Sequence, residues 1–313
     1  MKRNSVVILV IFFLFFGEIS GGWQDDISDF FKTTAPSVGM SFLKIGMGAR
    51  AVALGGAYSS VVADPTAVYW NPAGVVYSQG LDASFSHVAL MEGINYEFFA
   101  LSTGDGKQGM GIGLGGVFYG SMELRDDTPS EEPIGEFKAY SFLGKIAYGR
   151  HFGEDFAAGF SMGGILERIY VYSTRAYTLD FGLRYYPRIM ENVTISLNFN
   201  NLGPKVIYVD ETFRLPLTTK FGGSYTFIKW NSDVTLSTEI SKSIDTPLSS
   251  SLGMEVGFSF INLRAGYTYS DDSALRWSVG VGIEHSFVSI DYSFSPYLMD
   301  LGIKQCISLN MDF

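Results

Sequence analysis

Few residues of this chain have the types and spacing that chemistry requires. The three histidines, His87, His151 and His285, are scattered through segments in which apolar and polar residues alternate. General acid–base or nucleophilic catalysis needs a histidine or paired acids beside a hydroxyl, all aimed at one level of the fold. None of the three has such a partner nearby in sequence. The single cysteine, Cys306, can form no intrachain disulfide, and nothing in sequence is placed to activate it. No metal-ligand spacing occurs. The sequence therefore reads as a non-enzyme that needs no cofactor.

The polar faces of the alternating segments carry ionisable side chains, about one to a segment. They are Lys145, Asp180, Arg184, Lys220, Glu239, Glu255, Arg264, Glu284, Asp291 and Lys304. Their signs are mixed along consecutive segments, so opposite charges can pair across a strand ladder. The expectation is a charge network that stiffens and solvates an interior. The sharper alternative is a path for a polar or amphipathic solute.

The elements that carry these residues are strands. In Ile303 to Phe313 one face holds Ile303, Gln305, Ile307, Leu309, Met311 and Phe313, and the other holds Lys304, Cys306, Ser308, Asn310 and Asp312. Successive side chains of a strand point to opposite faces, so the segment has one apolar and one wet face. About fourteen such segments follow residue 79, most near the 9–11 residues that a tilted membrane strand requires. They begin near Leu81, Tyr96, Gly109, Phe137, Phe156, Thr174, Val193, Pro216, Val234, Ser249, Ile261, Leu275, Val288 and Ile303. The third and seventh connections, Ser121 to Gly135 and Leu202 to Leu215, are the longest. Long connections on one side and short turns on the other are the asymmetry of outer-membrane barrels.

Composition agrees. Hydrophobic residues make up 47% and charged residues only 17%, yet beyond the first residues no apolar run nears the ~20 that a spanning helix needs. A net charge of −10 argues against nucleic acid as a partner. Lys2 and Arg3, the apolar core Val6 to Phe16, and small residues Ser20, Gly21 and Gly22 read as an export signal cleaved before Trp23. The apolar faces must then meet outer-membrane lipid, because a soluble barrel with a polar interior would forgo its hydrophobic burial.

Residues 23–78 do not alternate. They are rich in Gly, Ala and Pro and read as a hatch inside the lumen. Asp64 is placed as a helix N-cap with Pro65 at the first helical position, and Pro72 should end that helix at Asn71. Gly109, Gly111, Gly113 and Gly115 fall on one face of the third strand. A glycine face lets another backbone approach closely, so it is expected to be the bed for this segment. The organisation expected is a signal peptide at 1–22, a hatch at 23–78 and a barrel at 79–313. Among predicted lumen positions only Leu143 and Ile165 are apolar. A greasy pocket would thus depend on hatch residues such as Leu54, Tyr58, Val68 and Trp70.

The stretch from Phe42 to Gly74, with its ending Tyr69-Trp70-Asn71-Pro72-Ala73-Gly74, resembles the N-terminal signature of the PorV/PorQ family within the wider group of FadL-like outer-membrane transporters. The triplet Asn71-Pro72-Ala73 is similar to the hatch motif of FadL. The resemblance implies a fourteen-stranded antiparallel barrel plugged by an N-terminal hatch, and a gate or ligand site at Leu54, Tyr58, Trp70, Asn71, Pro72 and Ala73. It implies one of two roles. One is transport of a hydrophobic small-molecule ligand, such as a long-chain fatty acid. The other is a scaffold whose partners are secretion or assembly proteins.

Overall fold

Alternation of this length, without a second sheet to pack against, has one solution in lipid: the ladder closes on itself and no strand edge remains. The structure is a computed structural model, and it describes residues 38–126, 131–229, 232–271 and 274–313. The expected signal peptide and the first part of the expected hatch lie outside these residues.

The first half of the wall is β1 (Gln79–Ala89), β2 (Asn95–Asp105), β3 (Gln108–Leu124), β4 (Gly135–Phe152), β5 (Phe156–Ile169), β6 (Tyr172–Tyr185) and β7 (Val193–Leu202). A short hairpin of β8 (Val206–Tyr208) and β9 (Glu211–Phe213) interrupts it. The second half is β10 (Thr218–Lys229), β11 (Ser232–Ser243), β12 (Ser249–Phe258), β13 (Ile261–Tyr269), β14 (Trp277–His285), β15 (Val288–Pro296) and β16 (Ile303–Asp312). Leaving out β8 and β9, each strand pairs antiparallel with its neighbours in sequence, and β1 pairs with β16 to close a fourteen-stranded barrel. Each strand the alternation anticipates is present, with starts displaced by two residues or fewer. The β8–β9 hairpin was not anticipated. It is three residues a strand, too short for alternation to register.

The turns nearest the start of β1 and the end of β16 are short: β2 to β3, β12 to β13 and β14 to β15 are joined through two residues each. The opposite end carries the segments 125–134 and 203–217. By the asymmetry of these barrels, that end is extracellular and the tight turns are periplasmic.

The outward faces are apolar all round the wall, with Met110, Leu114, Ile146, Leu252, Leu263 and Ile283 among the exposed side chains. Aromatic rings gather toward the periplasmic rim. Phe156 stacks on Tyr185 at 4.7 Å between centroids, and Phe287 lies 6.1 Å from Phe313. Rings at this level match the interfacial girdles of membrane barrels. Polar residues interrupt the outward band in places, and two of them pair. His87 and Glu97 face each other across β1 and β2, with Nδ1 and Oε1 2.6 Å apart. Sequence distance had hidden this pairing, which the ladder register makes.

Candidate functional site

The lumen is occupied by the segment from Val38 to Ser78, and its sequence explains how it folds there. Small residues allow a short helix, α1 (Ala49–Ala53), to lie close to β13–β16. A second short helix, α2 (Ala67–Trp70), ends at Asn71, where the backbone turns extended before Pro72. Its N-cap is Thr66 rather than the expected Asp64, so Pro65 precedes the helix; Asp64 instead forms the turn before it, its Oδ1 accepting from the Thr66 backbone N–H at 2.8 Å and its carbonyl from Ala67 at 2.9 Å. A 3₁₀ stretch, Pro72–Tyr77, then leads to β1, with Asn71 Oδ1 accepting from the Ala73 N–H at 3.0 Å.

The segment descends from the extracellular end to the periplasmic end. At the top, Val38 bridges to Arg214 in the chain just beyond β9, and Lys44 forms an ion pair with Asp245 in the β11–β12 loop. Burial raises the pKa of the Asp245 carboxyl, but the Lys44 hydrogen bond, the Ser243 hydroxyl and the Lys44 charge outweigh it, so it lies below the usual aspartate value. At the bottom, Asn71 to Val76 rest on glycines of the wall. A Cβ on Gly182 would overlap Asn71 Oδ1, one on Gly159 would overlap Pro72 and Ala73, and one on Gly109 would overlap Val75. Gly111 receives Val68, whereas Gly113 and Gly115 instead receive Phe98 and Tyr96 of β2. A second seat lies across the lumen, where Gly266 admits the backbone from Ala53 to Gly55 and Gly280 admits Ala53.

Most of the wall charges hold this segment or one another. Arg184 donates to the carbonyl oxygens of Ser59, at 3.2 Å, and Val62. Glu239 accepts from the Ser59 N–H at 2.9 Å, and Lys304 donates to the Gly46 carbonyl at 2.8 Å. Glu255 binds Arg50 of α1 at 2.8 and 2.9 Å and also pairs with Arg264, its ladder partner, which reaches Asp291 at 2.5 Å. Gly282 on the intervening strand leaves the space for that last contact. Lys145 pairs with Asp180 at 2.5 Å. Asp180 also accepts from the Asn201 N–H at 2.8 Å, a donor that the register shift between β6 and β7 removes from the ladder. Glu284 departs from the expected network. It has lumen parity but sits beside the β14–β15 turn, exposed, with no ion pair among the described residues.

Most buried polar side chains of the segment are likewise paired, with the Ser60 hydroxyl an exception. Asn71 Nδ2 donates to Ser59 O at 2.9 Å, Trp70 Nε1 to Met47 O at 3.0 Å and the Tyr69 hydroxyl to Leu43 O at 2.6 Å. The Ser59 hydroxyl meets that of Ser196 on β7 at 2.8 Å. Buried polar groups without partners cost about 1–3 kcal/mol each, so this web fixes the segment in one arrangement.

Above Trp70 the packing opens. A cavity of about 310 Å³ lies between Leu43, Tyr69 and Trp70 on one side and Asn200, Thr218, Lys220 and Ser243 of the wall on the other. A second, of about 270 Å³, extends past Trp70 toward Ser278, Ser295 and Lys304. The two share Lys44, Gly46, Trp70 and Lys220. Lys220 Nζ sits 4.3 Å from the Trp70 ring centroid and 3.7 Å from Glu239. Of the residues singled out in sequence, Trp70 lines both chambers. Leu54 and Tyr58 line neither: Leu54 rests against Gly253 and the Tyr58 hydroxyl donates to Asp64. Asn71, Pro72 and Ala73 lie beneath, in the glycine seat. The wall also has an apolar sector that alternation concealed, with Val88, Tyr96, Phe98 and Val117 beside Leu143 and Ile165. In β2 both faces are apolar, so its inward set did not stand out.

Neither a family model nor a curated protein matches the sequence. Solved structures do match in fold. The toluene transporter TodX of Pseudomonas putida superposes with a TM-score of 0.64 at 13% identity, over 86% of this chain and 99% of that one. A monoaromatic hydrocarbon channel, CymD, gives 0.62 at 11% identity, over 88% and 99%. A FadL homologue of Pseudomonas aeruginosa gives 0.55 at 10% identity, over 89% and 100%.

Proposed function

Because the chain is an outer-membrane barrel of FadL-like fold, we propose that it is a passive channel for hydrophobic or amphipathic small molecules, long-chain fatty acids included, gated by a hatch of residues 23–78 after removal of a signal peptide at 1–22. The observation that carries this reading is the cavity lined by Trp70, the residue that leads directly into Asn71-Pro72-Ala73 in their seat of glycines. Ligand enters from the extracellular mouth and lies against Trp70. Asn71-Pro72-Ala73 then shifts as a unit. Pro72 fixes its own φ and constrains Asn71, which suits a two-state hinge. Among the wall charges, Arg184, Glu239, Glu255 and Lys304 hold the hatch around that hinge, and Lys145, Asp180, Lys220, Arg264 and Asp291 complete the charge network of the lumen. Proteoliposomes containing the intact chain should take up oleate, and Asn71→Ala should change the rate while the barrel stays folded. Equal rates in the two, or no uptake by either, would refute the gate.

A second reading is favoured by one specific feature. The dense hydrogen bonding of Ser59, Asn71 and Arg184 suits a static plug. Such a barrel would be a scaffold for secretion or assembly proteins, as the PorV/PorQ-like ending Tyr69 to Gly74 implies. Co-purification of exported proteins, with no uptake of any probe, would support it.

A further inference from the structure

Resting on the channel reading, we infer that the cavity selects a small aromatic carboxylate, with its ring against Trp70 and its carboxylate between Lys220 and Lys304. The two chambers meet at Trp70, whose ring stands edge-on to Tyr69 at 5.7 Å between centroids. An aromatic corner of this kind holds a third ring in offset or edge-to-face contact. The charge lies immediately beside it. Lys220 Nζ is 4.3 Å from the Trp70 centroid. A Cβ on Gly46 would lie 3.5 Å from the Trp70 ring and 3.7 Å from Lys304 Nζ, and Lys304 lines the second chamber with Trp70.

Neither lysine is saturated. An ammonium has three donors. Lys304 is 6% exposed, and its bond is to the Gly46 carbonyl, with no carboxylate pair among the described residues. Lys220 has Glu239 at 3.7 Å, but that carboxylate also accepts from the Ser59 N–H. Ser295 lies directly across the ladder from Lys304, is 2% exposed and lines the second chamber, and its hydroxyl has no hydrogen-bond partner. Two ammonium groups and a free hydroxyl lining one chamber favour a negative charge there.

A single ring finds its apolar contacts at one corner of the first chamber. In the first chamber only Leu43, Tyr69 and Trp70 are apolar, and the wall opposite presents hydroxyl, amide and ammonium groups. A neutral hydrocarbon would leave Lys304 and Ser295 uncompensated, and sites built to hydrogen-bond a ligand reject analogues that lack the matching group.

The test is calorimetric titration of the detergent-solubilised full chain with benzoate and with its neutral isostere benzamide, alongside oleate uptake in proteoliposomes. Benzoate should bind about tenfold more tightly or better. Lys304→Met and Lys220→Met, each retaining the heat-modifiable band of a folded barrel, should bring the ratio to about one, and Lys304→Arg should keep it. Equal binding of benzoate and benzamide by the unaltered chain, or an unchanged ratio in the methionine variants, overturns charge selection. Oleate uptake with no benzoate binding overturns this inference alone. Absence of both overturns the channel reading with it.

Discussion

The side chain of Asn71 fills the space that a side chain on Gly182 would occupy. Asn71 is fully buried, donates to Ser59 O at 2.9 Å and caps Ala73 at 3.0 Å. Gly182 is thus the wall's half of a fitted joint between the barrel and the segment inside it.

Adding a methyl group to that joint should push the segment away while leaving the barrel intact. Gly182→Ala is expected to cost about 1–3 kcal/mol of local stability through overpacking. It should also speed amide hydrogen exchange between Ser59 and Tyr77. Gly164→Ala is the control, because a Cβ there meets nothing within 4 Å. Equal exchange in the two variants would contradict the fitted joint.

The joint was only half legible in the sequence. On β3 four glycines in alternate positions stood out, and two of them, Gly109 and Gly111, do receive the inner segment. Gly159, Gly182, Gly266 and Gly280 do the same work singly, one to a strand, and a single glycine in a strand has many explanations. The fourteen wall strands were readable because lipid outside and polar groups inside impose a strict period of two. The pairings Glu255–Arg264 and His87–Glu97 depend on register, which alternation leaves free by any even step. Lys220 over Trp70 and the Asn201 N–H on Asp180 depend on tertiary approach and on a local register shift, and neither has a sequence signal.

The triad Arg50, Glu255 and Arg264 ties α1 to the wall. Glu255→Gln leaves the half-buried Arg50 without its carboxylate and the buried Arg264 with Asp291 alone. Breaking a buried pair by removing one partner typically costs about 3–5 kcal/mol. The variant should lose its heat-resistant gel mobility at a clearly lower temperature than the unaltered protein. A midpoint within error of the original would show that the triad does not hold α1.

The Lys44–Asp245 pair latches the top of the segment to a mouth loop. Because the Asp245 carboxyl lies below its usual value in the folded chain, the latch is at full strength above the ordinary aspartate pKa of about 3.9 and weakens as pH falls below it. Hydrogen exchange from Met40 to Met47 should be unaffected by lowering pH from 7 to about 5 once intrinsic rates are corrected, and should rise below about 4. Asp245→Asn should show the faster exchange at every pH. An increase between pH 7 and 5 would point to a different latch.

The central claim is that solute passes only when the inner segment moves relative to the wall. The Ser59 and Ser196 hydroxyls, 2.8 Å apart, mark a place where a disulfide can fasten one to the other. Uptake of oleate should be measured in proteoliposomes bearing Ser59→Cys, Ser196→Cys and Cys306→Ser together. The account predicts at least a tenfold loss of uptake on oxidation (about 1.4 kcal/mol or more in barrier) and recovery on reduction. Undiminished uptake through the oxidised, fastened barrel would contradict it.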